Sequence, residues 1–246
     1  MNAAPVVEAR AGDERVFEVS AIAFDLDGTL LDTVHDLAAA VNAMLADRGL
    51  AALSTDAIRV MIGRGMPVLV RRALATAMNV AAGDIADGDL GAALSCYQAH
   101  YAALLGRATL PFPGMREGLE RLTAMGFPLA VVTNKATRFV LPHLEQADLA
   151  RFFAVIVGGD QLPTMKPDPG QLRHVAERFG IPCSRLLMVG DSGNDVDAAR
   201  AAGCPVVVLP YGYNEGRPVQ ILGADGIVDS VAAVADRVVC FIPETP

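Results

Sequence analysis

Short apolar runs recur along the chain at residues 19–24, 129–132, 154–157, 186–189 and 206–209, with a weaker one at 226–228. Each is nearly continuous in Val, Ile, Leu, Ala and Phe rather than alternating with polar residues. That pattern suits strands covered on both faces. Such strands belong to parallel sheets whose crossovers run through helices. The intervening stretches carry the matching punctuation: residues 115–125 stop at Gly126, a segment opened by Asp168-Pro169 stops at Gly180, and residues 194–202 stop at Gly203. The pattern predicts an α/β fold with a Rossmann-like parallel sheet.

The stretch between the first and second runs is too long for one crossover helix, and its periodicity is helical throughout. Thr33 and Asp36 have the spacing of a capping box for a helix over 34–48, closed by Gly49. A second helix is predicted over 54–62, stopping at Gly63, and a third over 68–78 after Pro67. A fourth runs over 87–105 to Gly106. The reading is a helical cap at 34–110, inserted after the first strand and left through Leu110-Pro111-Phe112-Pro113-Gly114. Residues 19–33 and 111–246 form the core. Two closely spaced crossings predict a hinged lid. Residues 1–18, with Glu8, Arg10, Asp13 and Glu14, read as an irregular tail without the apolar centre of an export signal, which points to the cytoplasm.

Composition narrows the classes. Twenty Lys and Arg against 28 Asp and Glu give a net charge of −8, which disfavours a nucleic-acid surface. Although 52% of residues are apolar, no run approaches the roughly 20 needed to span a bilayer. Cys96, Cys183, Cys204 and Cys240 form no C-x-x-C pair and His35, His100, His143 and His174 no H-x-x-x-H pair, so zinc chemistry has little support.

In parallel sheets ligands bind beyond the carboxyl ends of the strands, so the polar residues after each apolar run carry the candidate chemistry. After the first come Asp25-Leu26-Asp27-Gly28-Thr29, two carboxylates on one side of an extended chain. They are either turn-forming aspartates or a metal-ligating nucleophile beside a proton carrier. After the second, Thr133 and Asn134 either cap the next helix or hold phosphate oxygens with free backbone N–H groups. Lys166 in Lys166-Pro167-Asp168-Pro169 is either a solvated lysine or a cation that offsets charge on a transferred phosphoryl group. Asp191 in Gly190-Asp191-Ser192-Gly193-Asn194-Asp195 lies where a hard-cation ligand would meet Asp25, while Ser192 and Asp195 suit helix capping. Oxygen-only ligands with room for water suit Mg²⁺. Within the cap, Arg64 between Gly63 and Gly65 is either an ordinary helix-end arginine or a grip for a second anionic group.

These four motifs in this order resemble the haloacid-dehalogenase superfamily of aspartate-dependent phosphohydrolases. The resemblance implies Asp25 as nucleophile and Asp27 as acid/base, with its main-chain oxygen on the metal. It further implies Thr133 and Lys166 on the phosphate side, and Asp191 as a metal ligand supported by Asp195. More narrowly, Leu31-Asp32-Thr33, Ile62-Gly63-Arg64-Gly65, Phe112-Pro113-Gly114, Val132-Thr133-Asn134-Lys135, residues 188–204 and Tyr211-Gly212-Tyr213-Asn214 resemble the bacterial phosphoglycolate phosphatase family. That implies a Mg²⁺-dependent hydrolase of a small phosphomonoester, 2-phosphoglycolate, working through an aspartyl-phosphate. The motifs leave open another small sugar phosphate and a phosphomutase. A dehalogenase has no need of Asp27, and a binding protein with a relict site has no need of all four carboxylates. Oligomeric state is not encoded in these motifs.

Overall fold

The computed structural model describes residues 15–241, so the first 14 positions of the expected tail lie outside the described residues. The rest of that tail is ordered. Strand β1 (Phe17–Val19) buries Phe17 and Val19 and leaves Glu18 exposed, a period-two pattern that seats it parallel to the last strand of the chain. The expected first strand is therefore two, with Ser20 separating β1 from β2 (Ala21–Phe24). After the Asp-Leu-Asp turn come β3 (Leu31–Asp32), α1 (Val34–Asp47), α2 (Thr55–Arg59), α3 (Met66–Met78), α4 (Asp87–Leu104) and β4 (Leu110–Pro111).

The four expected helices are present, and the two chain crossings are zipped together as the antiparallel pair β3–β4. The capping box is not formed. Thr33 makes no side-chain cap, and Asp36 instead accepts from Ala108 N at 2.9 Å and Thr109 Oγ1 at 2.7 Å. The acidic side chain binds α1 to the returning chain because that partner is within reach and the helix N-terminus has an alternative: Tyr213 Oη lies 3.0 Å from Val34 N. Val41, Met44, Leu45, Ile58, Leu74 and Tyr97 give α1–α4 a hydrophobic core of their own, into which Phe139 and Tyr213 reach from the sheet side.

Beyond β4 the chain alternates: α5 (Met115–Ala124), β5 (Leu129–Val132), α6 (Thr137–Gln146), β6 (Phe153–Val157), α7 (Gly170–Phe179), β7 (Leu186–Gly190), α8 (Gly193–Ala202) and β8 (Val206–Val208). Then come β9 (Gly226–Ile227), α9 (Val231–Val234) and β10 (Val238–Cys240), the partner of β1. The main sheet is parallel throughout in the order β6-β5-β2-β7-β8-β9. Alternate residues of each strand point to opposite faces. Ile22, Phe24, Leu129, Val131, Leu187 and Val189 pack beneath α5, α6 and α9, while Ala21, Ala23, Ala130, Val132, Leu186 and Met188 pack beneath α7 and α8. The small alanines bring α7 and α8 close to the sheet. From β2 the chain runs outward through β5 to β6 and returns to β7 on the opposite side of β2. The switch point between β2 and β7 is where a crevice opens.

Candidate active site

Asp25 follows β2 and Asp191 follows β7, so the two aspartates leave neighbouring strands at the switch point. Gly28 makes the turn after Asp27 with φ at +92°, and a Cβ there would sit 2.5 Å from Asp191 Oδ2. No other residue fits without moving that carboxylate. Asp191 is pinned from both sides, accepting from Thr29 Oγ1 and from Tyr213 N, each at 2.5 Å.

Lys166 reaches the same point from the loop after β6. Its ammonium donates to Asp25 Oδ1 at 2.9 Å, Asp195 Oδ1 at 2.6 Å and Val132 O at 2.8 Å, which uses all its protons. Asp195 Oδ2 accepts from the backbone of Asp191 and Ser192 and from Ser192 Oγ, so Asp195 both caps α8 and anchors the lysine. The lysine is no solvated surface residue: it is 2% exposed. Burial opposes its charge, but Asp195 and Asp25 raise its pKa above the usual value.

Oxygens of Asp25, Asp191 and Asp195 lie within 4.8 Å of one another and all three residues are buried. Three carboxylates and one ammonium leave excess negative charge out of water. Burial pushes Asp25 up to about 6 despite Lys166, with Asp195 adding to the rise, and burial with the neighbouring Asp195 and Asp25 pushes Asp191 well above its ordinary value. An all-oxygen cluster short of positive charge fits a small divalent cation such as Mg²⁺.

Asp27 occupies a different setting. Lys135 Nζ lies 2.9 Å from its Oδ1 and 3.1 Å from its Oδ2, and it also donates to Tyr101 Oη of α4 at 2.5 Å. Burial works against the Asp27 charge, and the adjoining Lys135 more than offsets it, so its carboxyl sits below the usual range. A small cleft opens above both aspartates. Thr133, Asn134 and Lys135 line its sheet side, and Leu37, Ile62, Gly63, Gly65, Met66, Leu69 and Tyr101 its cap side.

The remaining expected residues divide. Thr133 is buried at the cleft and does not cap α6, whose N-cap is Ala136. Asn134 also lines the cleft, but both its amide protons are engaged, with Gly63 O at 2.9 Å and Lys166 O at 2.8 Å. It therefore links cap, sheet and lysine loop instead of offering its side-chain donors to a ligand. Arg64 does not line the cleft. Its side chain is half exposed and pairs with Glu215 at 3.2 Å, where Arg72 also meets Glu215 at 2.7 Å. The residues that sequence reasoning passed over are Lys135, Tyr101 and Glu215. Lys135 stood inside a quoted motif, but nothing in its spacing separates a buried ammonium from a solvated one. A further trio, Asp47 of α1 with Cys96 and His100 of α4, meets at the surface through a Cys-x-x-x-His spacing.

Comparison with known proteins identifies the family. The model of the haloacid dehalogenase-like hydrolase family matches residues 22–209. The phosphoglycolate phosphatase of Nitrosospira multiformis is 48% identical over 218 residues, covering 87% of this chain and 92% of that protein. A crystal structure from Haemophilus somnus, described as a predicted phosphoglycolate phosphatase, superposes with a TM-score of 0.83 at 36% identity, over 88% of this chain and 96% of that one. CbbY from Rhodobacter sphaeroides, in complex with phosphate, gives 0.72 at 25% identity over 89% and 99%. Among the described residues no helix is long and apolar enough to cross a membrane.

Proposed function

Because the chain belongs to the haloacid dehalogenase-like hydrolases, we propose that it is a Mg²⁺-dependent phosphomonoester hydrolase that converts 2-phosphoglycolate to glycolate and phosphate through an aspartyl-phosphate. The observation that carries this reading is the buried meeting of Asp25, Asp191, Asp195 and Lys166 at the sheet's switch point, with Asp27 in the same cleft. The choice of 2-phosphoglycolate is supported by relatives named phosphoglycolate phosphatase.

The chemistry follows from what each group has left to give. The contacts of Asp25 fall on Oδ1, from Lys166 and from Leu26 N at 2.7 Å, which leaves Oδ2 to attack phosphorus. Asp25, Asp191 and the main-chain oxygen of Asp27 would hold Mg²⁺, with Asp195 behind them. That ion neutralises charge on the phosphoryl oxygens and lets a carboxylate approach a dianion. As the Asp25–phosphorus bond forms, the bond from phosphorus to the ester oxygen breaks. Asp27 delivers a proton to the departing glycolate oxygen. A water then attacks phosphorus while Asp27 accepts its proton, and the Asp25 oxygen leaves. Thr133 would hold the phosphoryl side in place through both steps, while Lys166, its protons taken by Asp25, Asp195 and Val132 O, keeps Asp25 aligned and offsets charge on that side. In the cleft as it stands Lys135 favours the ionised form of Asp27, so the first step requires Lys135 to loosen its hold and Asp27 to take up a proton from solvent as substrate enters.

Phosphate release from a panel of 2-phosphoglycolate, ethyl phosphate and several sugar phosphates tests the reading, each run with Mg²⁺ and with excess chelator. Turnover fastest on 2-phosphoglycolate and lost in chelator is the expected result. Isomerised sugar phosphate without phosphate release identifies a mutase instead, and full activity in chelator removes the metal.

A further inference from the structure

Arg64 is spoken for by Glu215 and stands outside the cleft, so the cleft's means of recognising the rest of the substrate lies elsewhere. Among the described residues that line it, Lys135 is the one cation. We propose that Lys135 and Tyr101 form the subsite for a carboxylate carried by the substrate beyond its ester oxygen. This deepens the phosphatase reading above and rests on it.

Three observations carry the assignment. The first is position. Asp27, to exchange a proton with the ester oxygen, must come within hydrogen-bond distance of it. Lys135 Nζ touches both oxygens of Asp27. In 2-phosphoglycolate the carboxyl carbon is two bonds beyond that ester oxygen, so its oxygens fall in the neighbourhood of the Lys135 ammonium. The second is an unspent donor. Tyr101 Oη accepts from Lys135, and among the described residues its own proton meets no acceptor, although the residue is fully buried and lines the cleft. Burial raises the Tyr101 hydroxyl well above its ordinary pKa, so it keeps that proton. A buried donor without an acceptor is costly, and an arriving carboxylate oxygen removes the cost.

The third is the charge balance of the cleft. A phosphomonoester that also bears a carboxylate brings an extra negative charge into a space floored by Asp25 and Asp27. Lys166 is saturated by Asp25, Asp195 and Val132 O and has nothing to offer that charge. The cap wall consists of Leu37, Ile62, Met66 and Leu69 around two glycines, which suits a small ligand and supplies no polar side chain of its own apart from Tyr101. An ammonium and a phenol side by side match a two-oxygen anion, one donor for each oxygen. Lys135 then exchanges part of its contact with Asp27 for contact with substrate, which is the loosening that proton delivery requires.

The test compares kcat/KM on 2-phosphoglycolate and on carbamoylmethyl phosphate, the neutral amide of the same shape, in Mg²⁺. Wild type should prefer the carboxylate ester by roughly 10- to 100-fold, the range of a charge-assisted hydrogen bond. Lys135→Met should bring the ratio near unity, Lys135→Arg should retain most of it, and Tyr101→Phe should lower it several-fold. A merely structural lysine would slow both esters alike and leave the ratio unchanged, which overturns the subsite. Should Lys135→Met not fold, the wild-type ratio and Tyr101→Phe decide: a wild-type ratio near one, or a Tyr101→Phe ratio equal to wild type, overturns it as well. If wild type cleaves both esters equally, the phosphatase reading survives and the subsite alone falls. If it cleaves neither, both fall together.

Discussion

Two aspartates separated by a single leucine, Asp25 and Asp27, each sit against a buried lysine, and the two pairs behave in opposite ways. Lys166 is shared between Asp25 and Asp195 and held by Val132 O, so all its partners belong to the sheet, its flanking loops and α8. Asp25 is left with too little compensation and its carboxyl rises to about 6, burial being the main cause. Lys135 meets both oxygens of Asp27, pairs with no second carboxylate among the described residues, and finds its other partner on α4, in the cap. Asp27 falls below its ordinary value even though burial opposes it. The Lys166 pair is thus complete within the sheet half of the molecule, whereas the Lys135 pair is complete only with α4 seated over the strand ends. One half of the cleft is fixed for the phosphoryl group; the other is assembled by the cap.

The largest test of that division is at the aspartates. Asp25→Asn should reduce turnover by about 10³-fold or more, since the amide keeps the shape and is a poor nucleophile. Asp27→Asn should lose roughly 10²–10⁴-fold, the usual weight of an acid/base group. Far-UV circular dichroism should show both folded. If Asp25→Asn keeps near-native rates while Asp27→Asn does not, the roles assigned to the two pairs are reversed.

The lysines differ in stability by a smaller but measurable amount. Lys166→Met strands Asp25 and Asp195 in a buried site with no cation, and removing one partner of a buried pair costs roughly 3–5 kcal/mol. Lys135→Met strands one carboxylate where Lys166→Met strands two, of which Asp195 is fully buried, so it should cost less, about 1–3 kcal/mol. Urea denaturation of the metal-free proteins gives both numbers. Equal losses would mean that the second carboxylate stranded beside Lys166 adds nothing to the cost.

The unequal pairs also explain what could be read in the sequence. Strand runs, glycine stops and the residues that follow each strand are local features, and Asp25, Asp27, Thr133, Lys166, Asp191 and Asp195 all arrive at one crevice because parallel topology brings strand ends together. The helical character of 34–110 is equally local. What escaped depends on which distant surface covers a residue. Lys135 reads like any polar residue ahead of a helix until Tyr101 of α4 closes over it. Arg64 has the composition of an anion grip, but Glu215, more than 150 positions away, takes its charge. The β1–β10 pairing joins the two ends of the described chain, and the short runs 17–19 and 238–240 give no hint of each other.

The smallest effect is at His143, which lies on the Lys135 side and reports the charge there. The imidazole is buried at the end of α6, with Thr109 Oγ1 3.3 Å and Asp36 Oδ2 4.0 Å from its Nε2 and the Tyr101 ring edge-on at 6.1 Å. Its pKa falls from 6.5 to about 4, through burial first and Lys135 second, while Asp27 and Asp36 pull the other way. With the folded value below the unfolded one, the neutral ring's contribution is fully present above pH 6.5 and is lost as pH falls from there to about 4. The loss is at most about 1.4 kcal/mol per pH unit. In Lys135→Met the second cause disappears while burial remains, so a proton-NMR titration should find His143 raised by on the order of one unit. The acid-side loss of stability should then level off at a correspondingly higher pH. An unmoved His143 would show that Asp27 neutralises Lys135 completely at this distance. The pair would then be electrically closed, with no net positive charge left to draw a substrate carboxylate.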